Sequence, residues 1–187
     1  IFFFFSYTNN SWSQSASEFI GDLTTKASEI LSSKLTDEEK IIQLKEIGEA
    51  TVDIDGIGFY TLGKYRKSLT ETQKEQYTEL FKNYFLKSFS NRLVVYTDAK
   101  IAVLSEEIKN EKYTIVFSKL VGTSDRPEVK IDWRVYTKDP ENPLIRDLVI
   151  EGLSLARTQK EEFNSIIANN DGNVEALFEN LNKFIEN

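Results

Sequence analysis

The chain has 187 residues, of which 40% are hydrophobic and 28% charged, and its formal net charge is −7. This length suits one globular domain, and the apolar content excludes disorder over most of the chain. The acidic balance argues against a nucleic-acid binder and against tight docking on an anionic membrane, because both need clustered Lys and Arg. Histidine and cysteine are absent, which excludes cysteine nucleophiles, disulfides, His- or Cys-based zinc sites and a Ser-His-Asp triad.

The first residues differ in character from the rest of the chain. The run Ile1 to Phe5 is purely apolar and is followed by polar residues up to Ser15. The run is too short to span a bilayer, but it is typical of the end of a signal-peptide core, with small residues that suit cleavage before Ala16. An N-terminal strand or a disordered tail is the alternative. We therefore predict a signal-peptide remnant or disordered segment over residues 1–16, and one domain over residues 17–187.

Helical periodicity and capping signals predict three helices in the first part of that domain. The first covers residues 17–33 and has one apolar face. The second begins at a capping box formed by Thr36 and Glu39, and the third is short and capped by Asp55. Residues 17–69 are therefore a candidate helical subdomain.

A second capping box, Thr70 with Gln73, opens the helix with the clearest pattern in the chain. Aromatic and aliphatic side chains recur on one face of this helix from Tyr77 to Phe89. Such a face usually belongs to a solid core, but bulky rings along several turns also line apolar cavities well. The pattern leaves both interpretations open.

Beyond this helix the hydrophobic period changes to that of β-strands. Short connections between consecutive strands predict an antiparallel meander, and two more helices follow, the first ended by Gly172 and the second capped by Asn173. The predicted fold class is α+β: a twisted antiparallel sheet of about four strands, with N- and C-terminal helices enclosing an apolar cavity. The strands are expected at 100–108, 113–118, 129–136 and 144–151, and the first of the last two helices at 158–169.

Several motifs resemble catalytic or metal sites only in part. Residues 152–156 follow a strand and nearly match a nucleophile elbow, but the only base left for Ser154 would be Lys160. The simpler interpretation is that Gly152 permits a tight turn and Ser154 caps the following helix. Residues 53–56 lack the spaced acidic ligands of a calcium loop.

Acidic and basic side chains on the strands alternate with apolar neighbours and are expected to point outward. This pattern indicates a structural role. Asp132, Arg134 and Asp147 are expected to form a cross-strand ion pair. No catalytic residue, cofactor site or metal site is predicted. A cavity that binds an apolar ligand is the functional hypothesis that the residues themselves support.

Three segments together resemble the MlaC family of periplasmic phospholipid-binding proteins, also called the toluene-tolerance auxiliary proteins. The resemblance extends from about residue 17 to residue 181, and the third segment is the most specific. The segments are YTLGKYR at 60–66 followed by QYTELFKNYF at 76–85, VKIDWRV at 129–135, and LVIEGLSLARTQ at 148–159 continuing to Phe163.

The resemblance implies a non-enzymatic carrier in the periplasm of a Gram-negative bacterium. Such a carrier takes phospholipid tails into an apolar pocket and shuttles lipid between the outer-membrane MlaA–porin complex and MlaD of the inner-membrane MlaFEDB transporter, which maintains the lipid asymmetry of the outer membrane. It implies neither nucleic-acid binding nor stable membrane insertion. The alternatives are a small α+β hydrolase or isomerase with an apolar substrate pocket, and an interaction domain with a solid core.

The family has no fixed pocket motif, so the lining residues are predicted from their apolar character and from the aromatic helix, which we expect to face the strands. The predicted lining residues are Phe59, Leu62, Phe81, Tyr84, Phe85, Phe89, Val103, Ile115, Phe117, Ile131, Trp133, Val135, Val149 and Leu153.

Overall fold

The computed structural model describes residues 14–187, so the apolar N-terminal run and most of the predicted signal-peptide remnant lie outside the described residues. The α+β class and the antiparallel sheet are confirmed. The helices are α1 (Ala16–Ser32), α2 (Asp37–Thr51), α3 (Ile54–Thr61), α4 (Glu71–Leu93), α5 (Leu155–Ala168) and α6 (Glu175–Glu186), with a 3₁₀ turn at Gly63–Lys67. The strands are β1 (Ile101–Asn110), β2 (Tyr113–Leu120), β3 (Val129–Tyr136), β4 (Leu144–Ile150) and β5 (Leu153–Ser154).

Both predicted capping boxes are present. The Thr36 hydroxyl accepts from the Glu39 backbone N–H, and the Glu39 carboxylate accepts from the Thr36 N–H at 2.8 Å. Thr70 and Gln73 form the same pair of bonds at 3.2 and 3.0 Å. Each box satisfies two backbone donors that a helix start otherwise leaves free, which is why these local signals locate the starts of α2 and α4.

The cap of α3 differs from the prediction. Asp53, not Asp55, accepts from the Gly56 N–H, at 3.1 Å. The Asp53 carboxylate also pairs with Arg146 of β4, far away in sequence. A tertiary ion pair therefore fixes which of the two acids caps the helix. The positive φ of 57° at Gly63 then separates α3 from the 3₁₀ turn.

Within residues 14–187 the sheet has five strands in the order β1-β2-β3-β4-β5, and every neighbouring pair is antiparallel. The fifth strand was not predicted because it is only two residues long. Glu151 and Gly152 both have positive φ, at 49° and 84°, which forms a tight reversal after β4. The chain pairs briefly with β4 and enters α5 at Leu155, earlier than the predicted residue 158.

Cross-strand register divides the sheet into two faces, because residues directly opposite each other on neighbouring strands share a face. Helix α1 covers one of them, which we call the α1 face. The other is called the second face. The α1 face carries Thr114, Val116, Trp133 and Val135, and the second face carries Ile115, Phe117, Asp132 and Arg134.

Buried apolar side chains form three clusters. The largest lies among α3, α4, α5 and α6, the second lies between α1 and the sheet, and the third joins α1 to α2. Their buried members include Leu62, Phe81, Phe163 and Phe178 in the first, Ile20, Val116 and Val135 in the second, and Leu31 and Leu44 in the third.

Two helical glycines form a matched pair for testing this packing. A Cβ on Gly58 would lie 2.8 Å from Cδ1 of Phe81, whereas a Cβ on Gly21 would meet no atom within 4 Å. We expect Gly21→Ala to raise the free energy of unfolding by up to about 1 kcal/mol, because alanine favours the helix. We expect Gly58→Ala to lower it by about 1–3 kcal/mol, since overpacking outweighs that gain. Urea unfolding of both variants measures the difference, and shifts of the same sign would contradict the close approach of α3 to α4.

Candidate functional site

The aromatic stripe of α4 meets other helices rather than the strands that it was expected to face. Helix α4 packs chiefly on α2, α3 and α6. Tyr77 and Phe81 are only 1% and 2% exposed. The Phe81 ring lies 5.8 Å from Tyr77 and contacts Phe163 of α5 edge-on at 6.2 Å between centroids. This half of the stripe is solid core, and Leu62 belongs to the same cluster.

The C-terminal half of the stripe is less covered. Phe85 and Phe89 are half-buried, and their rings stack at 5.8 Å with an interplanar angle of 8°. Tyr84, also half-buried, donates its hydroxyl to Gln159 of α5 at 2.9 Å. Phe85 and Phe89 are therefore the more accessible rings of the stripe, whereas Phe81 is enclosed.

Tyr77 makes the stability of the folded protein depend on pH in alkaline solution. Its hydroxyl is buried, shares a 2.8 Å hydrogen bond with Thr61 and donates to the Gly58 carbonyl at 3.3 Å. Burial raises the pKa of Tyr77 far above its ordinary value of 10. The folded state holds this proton more tightly than the unfolded chain, so the stabilisation is complete below the ordinary pKa and is lost as the pH rises above it.

We therefore expect the free energy of unfolding to fall as the pH is raised from about 9 to about 11. Tyr77→Phe should flatten this slope without abolishing it, because burial also raises the pKa of Tyr84. Urea unfolding at several pH values measures both slopes. An unchanged slope in Tyr77→Phe would show that the Tyr77 hydroxyl ionises as freely in the folded protein as in the unfolded chain.

Several predicted residues of the sheet lie on the α1 face. Val135 is fully buried in the cluster beneath α1, and Val103 and Trp133 pack against that cluster. The Trp133 indole N–H donates to the Ser118 hydroxyl at 2.8 Å. Ile131 lies opposite Ser118 and shares this face. These side chains fill the space between α1 and the sheet.

The second face carries a different set of predicted residues. Ile115, Phe117 and Val149 are half-buried, and they belong to none of the three clusters. Asp132 lies directly between Phe117 and Val149 across the strands. Its Oδ1 atom is buried and has no hydrogen-bond partner among the described residues. Leu153 of β5 does not belong to this set, because it lies opposite Ile150, which lies opposite Ile131 of the α1 face; its side chain is 69% exposed.

The predicted lining residues thus fall into three places: the helical core, the α1 face and the second face. Apolar side chains remain accessible at the second face and at the end of α4. The structure does not bring all of the predicted residues onto one surface, because the register sends neighbouring strand residues to opposite faces.

A surface depression of about 480 Å³ lies along the first turns of α4. Phe59 is the only predicted residue in its lining. The sequence pattern missed the others because they are polar residues typical of a solvated helix face, although the stems of long charged side chains cover apolar surface. They are Glu71, Lys74, Glu75, Thr78, Glu79 and Lys82.

The resemblance of residues 152–156 to a nucleophile elbow is explained by helix capping. The Ser154 hydroxyl accepts from the Arg157 N–H at 3.1 Å and donates to the Asp147 carboxylate at 2.5 Å. Lys160 lies elsewhere, with its ammonium 5.0 Å from the ring centroid of Tyr60. Ser154 therefore has structural partners, and Lys160, the base considered for it, is directed to Tyr60 instead.

The predicted ion pair across the strands is present in part. Arg134 approaches Asp147 at 3.3 Å, while Asp132 faces Lys130 at 3.9 Å. Within residues 14–187, no group of three or more acidic side chains is arranged to hold a metal ion. None of the helices in those residues combines the length and apolarity that crossing a membrane requires.

Comparison with known proteins identifies the family. The family model described as MlaC protein matches residues 21–183. The chain belongs to the MlaC family. The match includes α2 to α5, the whole sheet and most of α1 and α6, so it covers the helical core and both faces of the sheet.

A solved structure shares this MlaC fold. It is the phospholipid-binding protein from Ralstonia solanacearum in complex with a phospholipid. The two chains are 17% identical, with a TM-score of 0.76, and the alignment covers 92% of this chain and 98% of the other. Architecture is therefore shared over nearly the whole of both chains, although few side chains are identical.

Proposed function

We propose that this chain is a periplasmic phospholipid carrier that moves lipid between the outer-membrane MlaA–porin complex and MlaD of the inner-membrane MlaFEDB transporter. The observation that carries the proposal is the match, over 92% of this chain and 98% of the other, to a protein whose structure holds a phospholipid. Membership of the MlaC family supports the same function. In this role the protein maintains the lipid asymmetry of the outer membrane.

The physical need for a carrier follows from the cost of exposing acyl chains to water, about 0.8 kcal/mol per methylene. A protein that covers both tails again makes the transfer nearly neutral. The half-buried apolar side chains are the ones that a tail would cover. We propose Ile115, Phe117 and Val149 on the second face, with Phe85 and Phe89 on α4, as the principal lining.

The polar geometry supports a carrier over a hydrolase. A hydrolase needs an activated nucleophile or a base that converges on the substrate. Ser154 is occupied as a helix cap, and Asp147 accepts from Ser154 and from the Ala156 N–H. A carrier needs no chemistry of its own, and the direction of transfer comes from its two partners.

The test is lipid uptake by delipidated protein from vesicles that contain labelled phospholipid. We expect intact phospholipid to co-elute with the protein, and Ile115→Trp to reduce the bound amount by narrowing the second face. Ile42→Trp is the matched control, because Ile42 is 58% exposed on α2. Failure of the parent protein to take up lipid would contradict the proposal, and release of free fatty acid would favour a hydrolase.

The partners require a separate experiment. Lipid-loaded protein should release its lipid faster to acceptor vesicles that contain MlaFEDB than to vesicles without it. Loaded vesicles that contain the MlaA complex should supply lipid to the delipidated protein. Equal rates with and without the partner complexes would leave a lipid-binding protein with no role in that exchange.

A further inference from the structure

The 3₁₀ turn after α3 carries a local reversal of charge. Lys64, Arg66 and Lys67 are all exposed, and Gly63–Lys67 contains no acidic residue, although the whole chain has a net charge of −7. A fourth cation, Lys160 of α5, adjoins them, since a Cβ on Gly63 would lie 3.0 Å from its Cε atom. We call these four residues the basic patch.

Contacts of α5 with the end of α3 and with the 3₁₀ turn hold the basic patch together. The Asn164 side-chain amide donates to the Thr61 carbonyl at 2.8 Å and to the Lys160 carbonyl at 2.7 Å. The patch therefore spans two elements with a fixed relative position. A flexible basic tail would have no such fixed shape.

Two tyrosine rings adjoin the basic patch. The Lys160 ammonium is 5.0 Å from the ring centroid of Tyr60, which is 41% exposed, and the Lys64 ammonium is 5.0 Å from the ring centroid of Tyr65. Among residues 14–187, none of the four cations forms an ion pair with an acidic side chain. By contrast, Arg157 on the same helix as Lys160 is paired with Glu161 at 3.0 Å.

We propose that the basic patch docks the protein, weakly and in one orientation, on the surface of an anionic phospholipid bilayer. Exposed Lys and Arg are attracted by the surface potential of anionic lipids. Tyrosine rings prefer the headgroup level of a bilayer. The acidic remainder of the protein is repelled by the same surface, so the attraction orients the molecule with the patch toward the lipid.

The observations favour a bilayer over an acidic protein partner. The patch presents three lysine ammonium groups, which bind as point charges and suit a diffuse anionic surface, and only one guanidinium suited to bidentate recognition of a carboxylate. This proposal concerns where the protein docks and does not depend on the proposed cargo. The fraction of protein bound to vesicles and the amount of lipid bound per protein are therefore measured separately.

The test is co-sedimentation of the purified protein with vesicles of phosphatidylglycerol and phosphatidylethanolamine, with phosphatidylcholine vesicles for comparison, at low salt. The patch variant combines Lys64→Gln, Arg66→Gln and Lys67→Gln. The control variant combines Lys26→Gln, Lys34→Gln and Lys138→Gln, which are exposed cations without ion pairs among the described residues. Each cation near an anionic surface raises partitioning onto the vesicles roughly fivefold. The partition coefficient should therefore fall about a hundredfold in the patch variant and less than about tenfold in the control variant.

The outcomes separate the possibilities. Binding of the parent protein to anionic vesicles only, its loss with added salt and its selective loss in the patch variant would support the proposal. Absence of parent binding, equal losses in both variants, or equal binding to anionic and phosphatidylcholine vesicles would overturn it. Bound lipid per protein should be unchanged in the patch variant. Vesicle binding without any bound lipid would contradict the proposed cargo and leave the docking surface intact.

Discussion

Phe81→Ala is expected to lower the free energy of unfolding by about 3–5 kcal/mol, because the fully buried ring leaves a void that the surrounding helices cannot close. The ring is 2% exposed and contacts Tyr77, Tyr84, Phe85 and Phe163. Since Tyr77 and Phe163 hold this ring inside the helical core, the loss should be nearly the same with and without bound phospholipid. Urea unfolding of delipidated and lipid-loaded protein measures it.

Phe85→Ala is the matched comparison one turn further along α4. Phe85 is half-buried, so its replacement should cost less than that of Phe81 in the delipidated protein. If an acyl chain covers its ring, the tail is able to fill part of the void, and the cost should fall further in the loaded protein. Equal costs in both states at Phe85 would place it in solid core, and a lipid-dependent cost at Phe81 would contradict the assignment of that residue to the core.

Asp147→Ala should cost about 3 kcal/mol and is the largest effect that we expect from a polar residue. Asp147 is 7% exposed, and its carboxylate accepts from the Ser154 hydroxyl and from the buried Ala156 N–H. Its removal leaves that N–H without an acceptor at the start of α5. The free energy of unfolding in urea reports this loss.

Two neighbouring substitutions serve as controls. Ser154→Ala should cost about 1 kcal/mol as a lost helix cap, without loss of lipid carriage. Arg134→Ala should cost less than about 1 kcal/mol, because half of the Arg134 side chain is exposed to solvent. Costs in the reverse order would contradict the central position of Asp147. A folded, lipid-loaded Ser154→Ala protein that had lost an esterase activity would overturn the carrier assignment.

The helix starts were predictable because their signals are local. Thr36 with Glu39 and Thr70 with Gln73 lie within one turn of each other, and each pair closes its own hydrogen bonds. The cap of α3 was predicted wrongly because Asp53 is selected by Arg146, which lies on β4. The strand β5 depends on a non-glycine residue with positive φ, for which sequence patterns provide little signal.

The candidate site was harder to predict because burial depends on contacts between distant segments. Alternation along β2 correctly separates two sets of side chains, but only the pairing with β3 shows that Phe117 and Trp133 lie on opposite faces. Likewise, the stripe of α4 has one periodicity throughout. Its N-terminal half is buried because α3, α5 and α6 cover Tyr77 and Phe81, and no sequence pattern on α4 itself contains that information.

Native mass spectrometry of the protein purified under mild conditions tests the central claim most directly. Phospholipid carriage predicts a protein peak with one or more intact phospholipids, which gas-phase activation releases and extraction identifies. The same protein after delipidation should regain that peak on exposure to vesicles. Lipid-free protein in both experiments, from a sample with a cooperative unfolding transition, would contradict the account.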